Sequence, residues 1–469
     1  MKIEQIYTGC LAEAAYYIES EGEAVIIDPL REVGPYIEKA EKNNAQIKYI
    51  LETHFHADFV SGHVDLSKKT GAKIVYGPTA KANFEMKVAK DGEIIEVGKI
   101  KIKVLHTPGH TMESSCYLLI DEKGKERALF SGDTLFIGDV GRPDLAVKTD
   151  LSKEDLAGYL FDSLRNKIMP LNDDIIVYPT HGAGSACGKN MSKETFDSLG
   201  NQKATNYALR EDMNKEEFIK ELLDNILPIP QYFPKNAVMN KSSENRTFDN
   251  IISEGTKALS LEEFDIEVKN GALILDVRHQ REFVKGFIPK SWFIGIDGGF
   301  APWAGSLIDD INQKIVIICP EGREEEVVKR LARVGYDHAV GYLKGSFSAW
   351  KKANRITDTI PQEKAEETAI NYLQGINVLD VRKSDEFSKE HIENTQHYPL
   401  GDIFNHLEDV DADKTYHVHC AGGYRSVIFI SILKSKGLHN FINVLGGYEA
   451  LRRTEVPKTD FVCPTINHY

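Results

Sequence analysis

Cysteine is scarce in this chain of 469 residues: there are six, Cys10, Cys116, Cys187, Cys319, Cys420 and Cys463, far apart and never paired as CxxC. Such spacing excludes a disulfide scaffold and a zinc ribbon, and predicts thiols that are reduced and mostly buried. Long apolar runs are missing too, so no segment is suited to crossing a bilayer and no membrane role is expected. No secretion signal is read at the N-terminus, where Glu4, Glu13 and Glu19 interrupt the stretch that would have to be apolar, and a cytoplasmic location is the expectation. Blocks of lysine and arginine are also lacking. With a formal net charge of -14, the chain repels a phosphate backbone, which argues against nucleic acid and for a small ligand.

What is present is length and hydrophobic pattern. At roughly 150 residues per domain the chain has room for about three. From Met1 to about Thr180, short β-rich runs such as "EAVIIDP", "IKYILETH", "KIKVLHTP", "RALFSGDTLF" and "IIVYPTH" alternate with amphipathic helical stretches near 34–44 and 153–168. Histidines and aspartates fall where those runs end, the place at which a layered α/β scaffold converges its loops. A helical segment near 214–226 is followed by "LPIPQYFPKNAVMNKSSEN", which reads as a linker or boundary. Beyond it the sequence repeats: "LDVRHQREFVKGFIP" from Leu275 matches "LDVRKSDEFSKEHIE" from Leu379. A period of about 100 residues suits two copies of one small domain with a parallel sheet. The expected order is therefore a domain over 1–240 and two related α/β domains over 250–355 and 365–469.

Candidate metal ligands occur in four clusters: His54, His56 and Asp58; His110; Asp133; and His181. Each cluster sits at a strand end among small residues that permit tight turns. In this order "THFHAD", "HTPGHT", "SGDT" and "YPTH" resemble the metallo-β-lactamase family, which implies an αββα sandwich over the first domain. In the two-metal hydrolases of that family the motif reads THxHxDH, and its last histidine helps to hold the second metal. Here that position is Phe59, which cannot ligate. The branch that this resembles is the persulfide dioxygenases, which implies one iron(II) per chain on His54, His110 and Asp133. Two imidazoles and one carboxylate are the set that non-haem iron oxygenases use, although the ligand types alone would also accept zinc. His56, Asp58 and His181 then become partners that orient water or ligands around the centre. Arg142, in "GDVGRPD", is similar to an arginine of these dioxygenases that would anchor a thiol carrier. A local salt bridge with Asp144 is the alternative.

In the last copy, "YHVHCAGGYRS" places Cys420 at a strand end, followed by Ala421, Gly422, Gly423, Tyr424, Arg425 and Ser426 at the start of a helix. Loop N–H groups and a helix N-terminus stabilise a thiolate or a bound anion, so Cys420 is the expected nucleophile. With "LDVRKSDEF" upstream, this resembles a rhodanese domain, which implies sulfur carried as a cysteine persulfide. Arg425 would compensate the charge of a donor such as thiosulfate. In the middle copy Cys319 is followed by Pro320, Arg323 falls one residue short, and Glu321, Glu324 and Glu325 stand nearby. Negative neighbours raise a thiol's pKa, so this copy is expected to be degenerate.

The combination resembles persulfide dioxygenase/rhodanese fusions. The function that this implies is sulfide detoxification: iron-dependent oxidation of glutathione persulfide, or another low-molecular-weight persulfide, by O₂ to sulfite, with Cys420 making or consuming thiosulfate. The alternative is a one-zinc thioester hydrolase of the glyoxalase II kind. The sequence does not identify the thiol carrier, the direction of sulfur transfer or whether the chain forms homo-oligomers.

Overall fold

Short strands, several of them buried on both faces, build two mixed sheets in the N-terminal part of the computed structural model, which describes residues 1–145, 150–224, 226 and 228–461. One sheet runs, edge to edge, Lys2–Thr8, Glu13–Ser20, Glu23–Ile27, Gln46–Leu51, Lys73–Tyr76 and Lys87–Val88. The other runs Asp197–Ser198, Ile176–Pro179, Glu126–Gly132, Ser115–Ile120, Ile100–His106 and Ile94–Val97. Their facing sides share a core that includes Tyr16, Ile18, Val25, Leu51, Val104, Tyr117 and Phe130. The outer face of the first sheet packs on helices Gly34–Lys42 and His63–Thr70, through Tyr36, Ala40 and Leu66. That of the second packs on Lys153–Ser163 and Lys215–Leu223, through Leu156's neighbours Ala157 and Leu160 and through Phe218 and Leu222. The layers are thus αββα.

Strand direction sets where the chemistry goes. Glu23–Ile27, Gln46–Leu51 and Lys73–Tyr76 are mutually parallel, so Asp28 and the segment Glu52 to His56 leave the same edge of the first sheet. Glu126–Gly132 and Ile176–Pro179 are also parallel, which delivers Asp133 and His181 together at the edge of the second. The two edges meet. Gly132 lies at φ +56°, and a Cβ there would stand 2.7 Å from Cβ of Thr53, so the junction requires glycine.

The C-terminal part carries two five-stranded, wholly parallel sheets of identical order. The first runs Ala258–Leu259, Ala339–Leu343, Ile315–Ile318, Leu273–Asp276 and Trp292–Phe293; the second runs Gln362–Lys364, Phe441–Leu445, Tyr416–His419, Asn377–Asp380 and Gln396–His397. The sequence repeat is a repeat of structure. In both copies the LDVR arginine folds back on its aspartate, Arg278 on Asp276 and Arg382 on Asp380, each with a closest contact of 2.6 Å. Each also reaches a backbone carbonyl eight residues on, at 2.9 Å, that of Gly286 or Glu390. The chain divides into two compact units: Met1–Asn250 with Leu331–Asp337, and Ile251–Arg330 with His338–Tyr469.

Two expectations need correction. The stretch read as a linker or boundary holds a helix, Phe233–Met239, followed by Asn240, which is fully buried. The helical stretch near 153–168 is an α-helix only to Ser163 and then widens into a π-helical turn, Leu164–Ile168. Cys463 lies outside the described residues; the other five cysteines are free, and all but Cys10 are buried. No helix among the described residues is long and apolar enough to cross a membrane.

Candidate metal centre and cysteine loop

At the joined sheet edges, His54, His110 and Asp133 bring one ligand atom each to within 4.8 Å of one another. The Nε2 atoms of His110 and His54 lie 3.4 Å and 3.9 Å from Asp133 Oδ2. The Nδ1–H of His110 donates to the Arg142 carbonyl at 2.7 Å, which leaves its Nε2 lone pair facing the aspartate. Nδ1 of His54 is 3.0 Å from the Thr53 hydroxyl. Burial, with the charges of His56, His110 and His181, holds His54 well below the usual imidazole range, so it is neutral, as a metal ligand must be. Both oxygens of Asp133 are buried without a hydrogen-bond partner. A buried carboxylate without hydrogen bonds is costly, and a cation is what this donor set fits.

Asp58, His181 and Cys187 form a second group of three. His181 Nε2 lies 3.4 Å from Asp58 Oδ2 and 3.6 Å from Asp133 Oδ1, so it bridges this group to the first. Burial, and then Asp58, push the Cys187 thiol up to about 12, which keeps its proton on sulfur near neutral pH. His56 belongs to a third group, with Asp28 and Glu52, both 3.1 Å from its Nε2. Phe59 is fully buried and stacks on His56 with ring centres 4.3 Å apart. The position that would carry a metal-binding histidine instead packs a neighbouring imidazole.

Three residues that hold this site have no motif in the sequence. Asp28, itself at φ +50°, accepts from the Thr53 N–H (2.7 Å) and from the hydroxyls of Thr53 (2.9 Å) and Thr180 (2.8 Å), which ties the two strand ends together. Glu52 accepts from Ser61 and faces His56 and His63; burial opposes its charge, but the two histidines pull its pKa down to about 2. Asn240 donates to the carbonyls of His56 and Phe59, both at 2.7 Å, and accepts from the Ser61 N–H at 2.8 Å. Asn240→Ala would leave three buried backbone groups unpaired. At roughly 1–3 kcal/mol for each unsatisfied group, a loss of about 3 kcal/mol is expected, read as a lower urea midpoint with an unchanged slope.

Arg142 is buried, and its guanidinium forks onto Asp144 through two contacts of 2.6 Å. The salt bridge is therefore formed. Its N–H reaches the Cys187 carbonyl at 3.0 Å, while its own carbonyl orients His110, so it ties the two ligand groups together.

In the last domain Cys420 follows strand Tyr416–His419 and precedes helix Arg425–Ser435. Its sulfur accepts the Gly423 N–H at 3.1 Å and lies 3.7 Å from the Ser426 hydroxyl. The carbonyls of Cys420 and Ala421 are taken by the N–H groups of Tyr448 (2.6 Å) and Glu449 (3.0 Å). Gly447 makes this approach possible, since a Cβ there would stand 2.3 Å from the Cys420 oxygen. Arg425 does not stand free: it forks onto Glu386 at 2.5 and 2.8 Å. Tyr424 donates its hydroxyl to the Gly295 carbonyl at 2.7 Å, away from the loop interior. Ala421, partly exposed, and Gly422, exposed, form the rim. In the middle domain burial, and then Glu324, push the Cys319 thiol up to about 12, and Arg323 is held by Asp297 and Glu326.

Comparison with known proteins agrees with this geometry. The model of the metallo-beta-lactamase superfamily matches residues 8–181, and that of the rhodanese-like domain matches 260–353 and 364–454. A hydroxyacylglutathione hydrolase of Francisella philomiragia is 31% identical over 232 residues, which are 46% of this chain and 87% of that protein. The chain belongs to the metallo-beta-lactamase superfamily. Rhodanese-like domains follow its superfamily domain. A probable hydroxyacylglutathione hydrolase of Schizosaccharomyces pombe is 36% identical over 159 residues, 33% of this chain, and the match spans only 57% of that relative's length. Among solved structures, a metallo-beta-lactamase from Staphylococcus aureus superposes with a TM-score of 0.64 at 32% identity, covering 73% of this chain and 98% of that one.

Proposed function

We propose that this chain is a persulfide dioxygenase joined to a sulfurtransferase. The observation that carries the reading is the convergence of His54, His110 and Asp133 on one point, with Phe59 in place of a further histidine. Two imidazoles and a carboxylate leave coordination positions open, and an iron(II) held there would supply joint binding and electron exchange for a persulfide sulfur and O₂. The net reaction is R–S–SH with O₂ and water giving R–SH and sulfite. His54, His110 and Asp133 would hold the metal, and the Arg142 carbonyl fixes the tautomer of His110. His181, whose Nε2 lies between Asp58 and Asp133, would hold a proton at that atom. Glutathione persulfide is the representative substrate, and the cytoplasm is the setting we assign.

The Cys420 thiolate would attack the outer sulfur of thiosulfate. A bond forms from Sγ to that sulfur, the thiosulfate S–S bond breaks, and sulfite leaves with the electron pair. Since Arg425 is engaged by Glu386 and the Gly423 N–H by the Cys420 sulfur, anion recognition would fall chiefly to the N–H groups of Ala421 and Gly422 and to the helix start, with Arg425 bracing the loop.

The second reading, a zinc thioester hydrolase, is favoured by the relatives named hydroxyacylglutathione hydrolases. An oxygen electrode with glutathione persulfide, run beside S-lactoylglutathione hydrolysis and elemental analysis, separates them. Stoichiometric iron with O₂ uptake is expected; hydrolysis undiminished without O₂, in a zinc protein, would replace our reading with the second.

A further inference from the structure

The middle domain, whose Cys319 thiol is pushed up by burial and Glu324, receives a side chain from the Cys420 loop of its sister domain within the same compact unit. The Tyr424 hydroxyl ends on the Gly295 carbonyl, and its ring meets Phe293 edge-on, with centres 5.8 Å apart. It also lies directly over Gly298, where a Cβ would stand 2.4 Å from Cζ of the ring. Two further bonds continue this attachment along the helix that follows the loop. The Trp292 indole donates to Ser435 and the Phe293 N–H to Ser431, both at 2.9 Å.

We propose that Tyr424 is a positioning residue for Cys420, and that the segment Phe293 to Gly298 of the middle domain is the socket that holds it. The proposal rests on reading Cys420 as the sulfur carrier. One end of the loop is fixed by the bonds from Tyr448 and Glu449 to the Cys420 and Ala421 carbonyls. Between that end and Tyr424 lie two glycines, of which Gly422 is exposed and Gly423 sits at φ +98° with nothing nearer than 4.0 Å to its would-be Cβ. Such a segment has little to restrain it. With Tyr424 seated, the far end of the glycine pair is fixed, which limits rotation of the Gly422–Gly423 peptide and keeps its Gly423 N–H aimed at sulfur. With the socket filled, that end is released, the Gly422–Gly423 peptide turns freely and the thiolate loses its donor. The inert copy thereby acts on the live one through a single aromatic anchor.

The test uses the full chain with Tyr424→Phe, which deletes only the hydroxyl, and Gly298→Val, which fills the socket. The readouts are the pH profile of Cys420 alkylation by iodoacetamide, followed by peptide mass spectrometry, and kcat and KM for sulfur transfer from thiosulfate to cyanide. A hydrogen bond to a charged group is worth about one pH unit or somewhat more, so Gly298→Val is expected to move the alkylation profile up by about one unit. It should lower kcat about tenfold with KM within about twofold, and Tyr424→Phe should give a shift of roughly half a unit. Profiles that coincide with wild type, whatever the change in unfolding midpoint, reduce Tyr424 to interdomain packing and overturn the proposal. If Gly298→Val does not fold, Tyr424→Phe decides alone. A wild-type protein without any thiosulfate sulfurtransfer would sink the sulfur-carrier reading instead, while the alkylation profiles would still judge the socket.

Discussion

Exchange of Asp133 for alanine is expected to empty the metal centre while leaving the fold in place. Loss of an outer partner of a metal ligand already costs about 10–100-fold in affinity, so loss of one of three ligands should cost more than about 100-fold and take O₂ uptake below about 1% of wild type. The same change removes two buried oxygens that no hydrogen bond satisfies. Metal-free Asp133→Ala should therefore unfold at a urea concentration no lower than metal-free wild type, the usual relation between a functional site and stability. Metal content, O₂ consumption and urea titration of the two apo-proteins check this together. A variant that keeps its metal would show that His54 and His110 are sufficient and that the assigned ligand set is wrong.

The second large effect concerns Cys420. Cys420→Ser should remove thiosulfate sulfurtransfer to below about 1%, because a serine hydroxyl is not a sulfur nucleophile at neutral pH. O₂-dependent sulfite formation from glutathione persulfide should stay within about twofold, since the metal ligands belong to the other compact unit. Cys319→Ser should change neither activity, because the Cys319 thiol, pushed up to about 12, carries almost no thiolate at working pH. Loss of sulfurtransfer in the Cys319 variant would restore the middle domain to the reaction.

Much of this was legible in the chain because the informative residues are local. THFHAD, HTPGHT, SGDT and YPTH each put a candidate ligand one to four residues past a strand, and CAGGYR is a single loop. The doubled LDVR likewise announced two sheets, which share one strand order. What escaped was fixed only by long-range contact. Asn240 lies 184 residues from the His56 whose carbonyl it holds, in a stretch whose prolines and polar residues look like a linker. Asp28 and Glu52 are lone acids at strand ends, without periodicity to mark them. Cys187 looked like a small buried side chain, and only the return of its loop sets it beside Asp58 and His181. Glu386 stood in a quoted motif, but nothing in its spacing told that it would take the Arg425 guanidinium.

The Asp–Arg clasp at the end of the LDVR strand is equally tight in the copy that carries Cys420 and in the copy that carries Cys319. The frame of this module is thus kept while its cysteine turn differs in length and charge. Transplanting the Cys420 to Arg425 segment in place of Cys319 to Arg323, one residue longer, would ask whether that frame can carry either turn without being rebuilt.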